Sequence, residues 1–268
     1  MTLPGGRARG YRVIATARDP RALDGLEVDQ RLRLDVTDQG SVDEAVAAAG
    51  EVDVLVSNAG VIFLAAVEAS PLAEIERLFA RNTVGAIRVA QAVLPQMRER
   101  KEGRLLFLSS VVGRLVLPGN AAYAASKWAL EALGESLAIE TAPFGIRVTL
   151  LEPGPVSSGA LDEPLSYRLP DDSYAAVLGN RGDASSFLTP EAVARAIADT
   201  AELDAPPLRV PLGVGAGGPS RRGYAGAHDR MGTGRSITRW PRFTRPSATR
   251  APARCRPSSA GPWIRSPP

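Results

Sequence analysis

Tyr123 and Lys127 lie four residues apart in a stretch of helical character, so they project from one face, a turn apart. Lysine is scarce in this chain: there are two, Lys101 and Lys127, against thirty arginines. An ammonium is compact and shifts its pKa readily when buried, which a guanidinium does not. Beside a phenol whose ordinary pKa is about 10, it could favour the phenolate and allow proton exchange near neutrality. A surface helix with an unremarkable Tyr and Lys is the competing reading of this stretch alone. Other residues of chemical promise are Arg18, Asp35, Asn58-Ala59-Gly60, Ser109-Ser110 and Pro153-Gly154, each at the end of an apolar run.

The elements that would position these residues follow from periodicity. Tyr11–Ala17, Arg31–Val36, Val52–Ser57, Arg104–Ser109, Ile146–Leu151 and Leu208–Leu212 are short apolar or alternating runs that read as strands. Thr37-Asp38 offers a cap before a helix near Ser41–Ala49. Ser70-Pro71 reads as a cap with proline at the first helical position. Helical spacing then covers Leu72–Phe79 and resumes over Thr83–Arg100, with Pro95 as an expected kink. Ala121–Thr141 and Pro190–Leu203 complete the helices. Strands alternating with helices in this rhythm predict an α/β fold, a doubly wound parallel sheet with ligands at the carboxyl ends of its strands.

The order and spacing of these motifs resemble the short-chain dehydrogenase/reductase family over about residues 8–212. The features are Asn58-Ala59-Gly60, Asn82-Thr-Val-Gly85, Ser109-Ser110, Tyr123-x-x-x-Lys127 and Pro153-Gly154-Pro155-Val156. The resemblance implies an oxidoreductase that transfers hydride between a nicotinamide cofactor and a secondary alcohol or ketone. Tyr123 would then exchange a proton with the substrate oxygen, and Lys127 would lower its pKa and bond the nicotinamide ribose. Ser110 would hold the substrate oxygen, and Asn82 would help place a relay water. Asn58, Ala59 and Gly60 would line the adenosine side, and Asp35-Val36 would contact the adenine. Pro153, Gly154, Val156 and Ser158 would face the nicotinamide amide, with Ser158 where the family usually has threonine. Arg18 suits the 2′-phosphate of NADP, whereas an acid there would suit NAD. Ser157–Leu188 would form a substrate lid whose Leu161, Leu165, Tyr167, Tyr174, Val177, Leu178 and Phe187 favour an apolar substrate, steroid-, retinoid- or lipid-like.

The sequence departs from this family at both ends. A glycine-rich phosphate loop belongs about 20 residues before the ribose-reading position, and counting back from Arg18 passes Met1. Gly5-Gly6-x-x-x-Gly10 lies too close to the next strand to be that loop, and residues 7–10 read as the end of a helix. The central first strand is thereby expected to be missing, and either the sheet closes over the gap or backbone groups stay unpaired. Weak cofactor affinity or poor solubility is expected.

Residues 213–268 are a different kind of sequence. They carry eleven arginines and one acid, Asp229, for +10, while the rest of the chain carries −7, together the net +3. This Arg/Pro/Gly-rich tail lacks apolar periodicity and is expected to be disordered. It reads either as a basic arm neutralising nucleic-acid phosphates or as the out-of-frame translation of a GC-rich gene.

Composition sets further bounds. One cysteine, Cys255, excludes an intrachain disulfide framework and fits a reducing cytoplasm. The single histidine, His228, makes a zinc site unexpected and a Ser-His-Asp hydrolase dependent on that residue. No apolar run approaches the ~20 residues of a membrane span. A homo-oligomer built on helices around residues 71–100 and 121–142 is expected from the resemblance. A non-catalytic relative of the family, able only to associate with such subunits, is the alternative reading of the whole chain.

Overall fold

The computed structural model describes residues 6–158, 165–178 and 187–213. The basic tail beyond residue 213, with His228 and Cys255, lies outside the described residues, as does lid residue Leu161 and the side chain of Val177.

Eight strands and six helices alternate through these residues. The strands are β1 (Ile14–Ala17), β2 (Gln30–Arg33), β3 (Val54–Ser57), β4 (Phe63–Ala65), β5 (Gly103–Leu108), β6 (Ile146–Pro153), β7 (Leu165–Tyr167) and β8 (Arg209–Leu212). The helices are α1 (Gln39–Ala49), α2 (Leu72–Phe79), α3 (Gly85–Arg100), α4 (Ala121–Thr141), α5 (Ala175–Leu178) and α6 (Pro190–Glu202). Every ladder is parallel, the arrangement expected of strands joined through helices.

The main sheet runs β3-β5-β6-β8, with Leu105 opposite Val148 and Phe107 opposite Leu150. Its inner strands are buried on both faces, which is why Leu105, Leu106, Phe107, Leu150 and Leu151 form a nearly unbroken apolar run. One face packs on α3 and α4 through Ala86, Ala90, Val93, Met97 and Leu130. The other packs on α6 through Val193, Ile197 and Ala201. Each large side chain buried here contributes about 1.5–3 kcal/mol.

β1 and β2 form a separate two-stranded sheet, and no ladder joins β1 to β3. Among the described residues no strand pairs with both β1 and β3. The small sheet is held instead by side chains: Val36, Val42 and Val89 pack together, with Leu55 of β3 against them. Gly85 makes this possible, because a Cβ there would stand 2.7 Å from Cγ2 of Val36.

Several elements differ from the sequence reading. β1 begins at Ile14 rather than Tyr11, and β2 ends at Arg33 rather than Val36. Beyond it the chain turns, and the Ser41 hydroxyl accepts the Asp35 N–H at 3.0 Å. Ser70 does not cap α2: its hydroxyl donates back to the Ala66 carbonyl at 2.8 Å, and Pro71 occupies the cap position. The expected break between residues 79 and 83 is absent. A π-helical turn, Ala80–Val84, joins α2 to α3, and Pro95 lies inside α3. The three-residue strands β4 and β7 were not anticipated.

Candidate active site

The carboxyl ends of β5 and β6 and the first turns of α4 bring four of the sequence candidates together. α4 starts after Asn120, and its second turn carries Lys127, 5% exposed. The Lys127 ammonium donates to the Leu108 carbonyl at the end of β5, 2.7 Å away. Its Nζ lies 5.9 Å from the centroid of the Tyr123 ring. Burial lowers Lys127 to about 8, and the Glu131 carboxylate, one turn on, pulls it partly back. Burial pushes the Tyr123 phenol above its ordinary value, offset in part by a hydrogen bond with the Ser110 side chain. The depression expected from Lys127 is not part of this geometry, since its ammonium is turned to the backbone of β5.

Ser109 and Ser110, adjacent in sequence, face different surroundings. Ser110 opens a short turn after β5, accepts from the Val112 N–H at 3.4 Å, and donates to the Pro153 carbonyl at 3.4 Å. Ser109 is 3% exposed and its hydroxyl has no hydrogen-bond partner. It lies beneath the site, where a Cβ at Gly113 would meet Ser109 Oγ at 2.9 Å and Glu131 Cγ at 3.2 Å.

Asn82 stands in the π-helical turn, a device that re-aims one side chain within a continuous helix. It is 1% exposed. Its amide donates to the Val61 carbonyl at 2.9 Å and accepts the Val61 N–H at 2.9 Å. It also donates to Ser126 Oγ at 3.3 Å. The strand-end turn Asn58-Ala59-Gly60 is thus pinned one residue downstream. Ala59 and Gly60 are exposed, and a Cβ at Gly60 would stand 3.8 Å from Lys127 Nζ.

At the far side of the sheet, Arg18 is exposed at the end of β1. The Asp35 carboxylate is held below its ordinary range, first by hydrogen bonds from Thr37 and then by the charges of Arg18 and Arg81. Asp19 is engaged by Arg21, which donates to it at 2.7 Å. Val36 is buried against α3, and its carbonyl accepts from Arg88. After β6, Gly154 N–H donates to the Leu212 carbonyl at 2.8 Å, and Val156 bridges Leu188. Ser158 is half-buried.

These groups suit part of a nicotinamide dinucleotide. Tyr123, Lys127 and the Pro153–Ser158 turn could hold one end of such a cofactor, and Arg18, Asp35 and Val36 the other. For the pyrophosphate the described residues offer no counterpart, because β1 runs directly into Arg18-Asp19-Pro20 and a short 3₁₀ turn.

Sequence reasoning missed a buried ion cluster beneath the Ser109-Ser110 turn. Glu131 and Glu152 are 4% and 3% exposed. Arg209 on β8 donates to Glu131 at 2.8 Å and lies 3.7 Å from Glu152, which also lies 3.9 Å from Arg114. Burial, then the neighbouring Glu131 charge, pushes Glu152 up to about 7. The available signal was Glu131 itself, four residues after Lys127 on the same helical face. Among the described residues no group of three or more His, Cys, Asp or Glu side chains could hold a metal. No described helix is long and apolar enough to cross a membrane.

Of the segment expected to form a lid, the described strand β7 reaches the Tyr123 region. Its pairing with β4 stacks Tyr167 on Phe63, ring centroids 5.6 Å apart, in a cluster that includes Leu78 and packs on Tyr123. An open apolar depression of about 850 Å³ lies elsewhere, lined by Val67, Val116, Leu117, Ala125 and Trp128. Ala125 and Trp128 are on the side of α4 away from Tyr123, given 100° per residue, so this depression is separate from the Tyr123 site.

Residues 8–166 match the short chain dehydrogenase family. Oxidoreductase BOA17 of Botryotinia fuckeliana is 33% identical over 220 residues, covering 76% of this chain and 80% of that protein. Retinol dehydrogenase 8 of Homo sapiens is 42% identical over 156 residues, 54% of this chain and 50% of its own length. The chain thus spans about half the length of that relative. The crystal structure of a short-chain dehydrogenase from Streptomyces avermitilis superposes with a TM-score of 0.69 at 37% identity, covering 78% of this chain and 82% of that one. With the motif match spanning most of the described residues and the strand and helix order in agreement, the chain belongs to the short-chain dehydrogenase family of oxidoreductases.

Proposed function

We propose that the protein transfers hydride between NADP(H) and an apolar secondary alcohol or ketone, with Tyr123 exchanging the proton at the substrate oxygen. The observation that carries this reading is the buried Lys127 ammonium, bonded to the Leu108 carbonyl with its Nζ 5.9 Å from the Tyr123 ring centroid, beside Ser110 in the turn after β5. A bound nicotinamide supplies or takes up the hydride. The chain's own groups handle the oxygen: the Ser110 hydroxyl orients it, and the phenol gives or takes its proton. A phenol kept neutral by burial is a competent donor to a forming alkoxide. In the opposite direction it needs the Lys127 charge brought closer than its present bond to Leu108 allows.

NADP is favoured over NAD because Arg18 is exposed beside Asp35, whereas the carboxylate of Asp19 is taken by Arg21. An apolar substrate is favoured by Phe63, Leu78 and Tyr167 around Tyr123, and by the likeness to a retinol dehydrogenase. The protein is further proposed to pair with a second copy through the α2–α3 segment and α4, which expose Leu72, Val84, Trp128, Leu133 and Ile139. Asn82 is assigned to positioning through the Val61 turn, and a water relay would use what that clamp leaves free.

The non-catalytic reading is favoured by one observation, the lack of a pyrophosphate cradle after β1. Equilibrium titration with NADPH and NADH, followed by protein fluorescence, separates the two. Binding of NADPH at least tenfold tighter than NADH, lost in Arg18→Glu, supports the enzyme reading. Equal or absent binding of both refutes the cofactor assignment.

A further inference from the structure

The short turn that presents Ser110 is bordered by the buried carboxyls of Glu131 and Glu152. Val111–Gly113 follows Ser110 directly, and the Gly113 N–H closes the turn on the Ser110 carbonyl at 2.8 Å. Gly113 rests on α4: a Cβ there would stand 3.2 Å from Cγ of Glu131 and 3.5 Å from Cβ of Lys127. Arg114, the next residue, lies 3.9 Å from the Glu152 carboxylate. Glu152 in turn precedes Pro153, whose carbonyl accepts from the Ser110 hydroxyl at 3.4 Å. Glu131 therefore backs the end of the turn, and Glu152 adjoins the carbonyl that holds the Ser110 side chain.

Donors to these two carboxyls are scarce. Glu131 Oε2 accepts from Arg209 Nε at 2.8 Å, while Arg209 gives its Nη2 to Glu135 at 2.7 Å. Glu152 Oε1 is 3.7 Å from the same Nε and 3.9 Å from Arg114, beyond hydrogen-bond range. Oε1 of Glu131 and Oε1 of Glu152 are both buried with no hydrogen-bond partner. The Ser109 hydroxyl beside Gly113 bonds to neither. The Lys127 ammonium, one turn before Glu131 on α4, is spent on the Leu108 carbonyl. Two ionised carboxylates beside one guanidinium nitrogen repel each other, and each leaves a buried acceptor unmet. One proton between them removes both penalties.

We propose that Glu131 and Glu152 share one proton, and that the pair so formed positions Ser110 by fixing its turn between α4 and the end of β6. The catalytic consequence rests on the roles proposed above for Tyr123 and Ser110; the shared proton does not. When the proton leaves, the two carboxylates push apart and Arg114 is drawn toward Glu152. Gly113 and Pro153 then lose their common support. The tight hold of Glu152 on its proton, caused first by burial and next by the Glu131 charge, agrees with this sharing. Release is expected as pH rises through about 7, before Lys127 loses its charge at about 8.

The test combines infrared spectroscopy of the full chain with amide hydrogen exchange at Val112 and Gly113, the two N–H groups bonded to Ser110. A protonated carboxyl has a carbonyl stretch resolved from those of carboxylates and backbone amides. At about pH 6 the wild type should show this band, Glu152→Gln should lack it, and Glu131→Gln should lose it at lower pH. Protection of Val112 and Gly113, corrected for intrinsic rates, should fall together with the band between about pH 6 and 8. Glu152→Leu, which can share no proton, should speed exchange at both amides at least about tenfold while β5 and β6 stay protected. It should also lower NADPH-dependent ketone turnover at least about tenfold at unchanged NADPH affinity. Glu152→Gln keeps a donor to Glu131 and should stay within about threefold of the wild type in both measures. The proposal is overturned by a folded wild type without the band, by a band indifferent to Glu131→Gln, or by protection that does not follow the band. Equal acceleration in Glu152→Gln and Glu152→Leu overturns it too, since packing rather than the proton would then hold the turn. A wild type without turnover refutes the reading of Tyr123 instead, and the infrared and exchange results still decide the pair.

Discussion

The side-chain amide of Asn82 grips the main chain of Val61 from both directions, donating to its carbonyl and accepting its N–H at 2.9 Å each. This pairing couples the π-helical turn to the strand-end turn Asn58-Ala59-Gly60, and so sets where the Gly60 backbone lies beside Lys127. Replacing Asn82 with Ala leaves the half-buried N–H and carbonyl of Val61 without this partner, a loss of about 1 kcal/mol per bond. Asn82→Ala should therefore unfold at lower urea and speed exchange of the Val61 amide by more than that of core strands. Asn82→Asp keeps only the acceptor and should fall between Ala and the wild type.

Gly85 is where the β1–β2 sheet meets α3. A Cβ at this position would stand 2.7 Å from Val36 Cγ2 and 3.1 Å from the Ala80 carbonyl. Gly85→Ala should destabilise the chain by about 1–3 kcal/mol through overpacking, despite the better helix propensity of alanine. Urea denaturation compared with an exposed control such as Gln91→Ala would show it.

Glu152 gives stability a pH dependence of defined sign. Its folded pKa, raised to about 7 from 4.5, means that the folded chain holds the proton more tightly than the unfolded one. That contribution is complete below about 4.5 and is lost as pH rises through 7. Urea midpoints measured from pH 5 to 8 should fall more steeply in the wild type than in Glu152→Gln, where the titrating group is gone.

Lys127 carries its charge below about 8 and loses it above. Any turnover that needs the ammonium should decline as pH rises through about 8. Glu131 acts through Lys127 by raising its pKa, so Glu131→Gln should move that alkaline limb to lower pH. An unmoved limb with a lower maximum would mean that Glu131 only supports packing.

Much of the fold was legible because its signals are local and repeated. α4 spans Ala121–Thr141 as its spacing predicts, and the inner strands β5 and β6 announce themselves as apolar runs buried on both faces. The π turn was not legible: one extra residue in a helix leaves the composition unchanged and reads as a break between Phe79 and Thr83. β4 and β7 are too short to show a period, and Ser70 was misread because a serine before proline suits a cap and a back-bonded turn equally. In the site, the motifs located Tyr123, Lys127 and Ser110. The Glu131–Arg209–Glu152 cluster escaped because its members come from α4, β6 and β8, and no spacing along the chain joins them.

The most direct test of the account is NADPH-dependent reduction of apolar ketones by the full chain and by Tyr123→Phe. The account predicts turnover in the wild type and a loss of at least about a hundredfold in the variant, the scale of general acid–base catalysis, with NADPH affinity unchanged. Equal turnover in both proteins, or none in either, would contradict it.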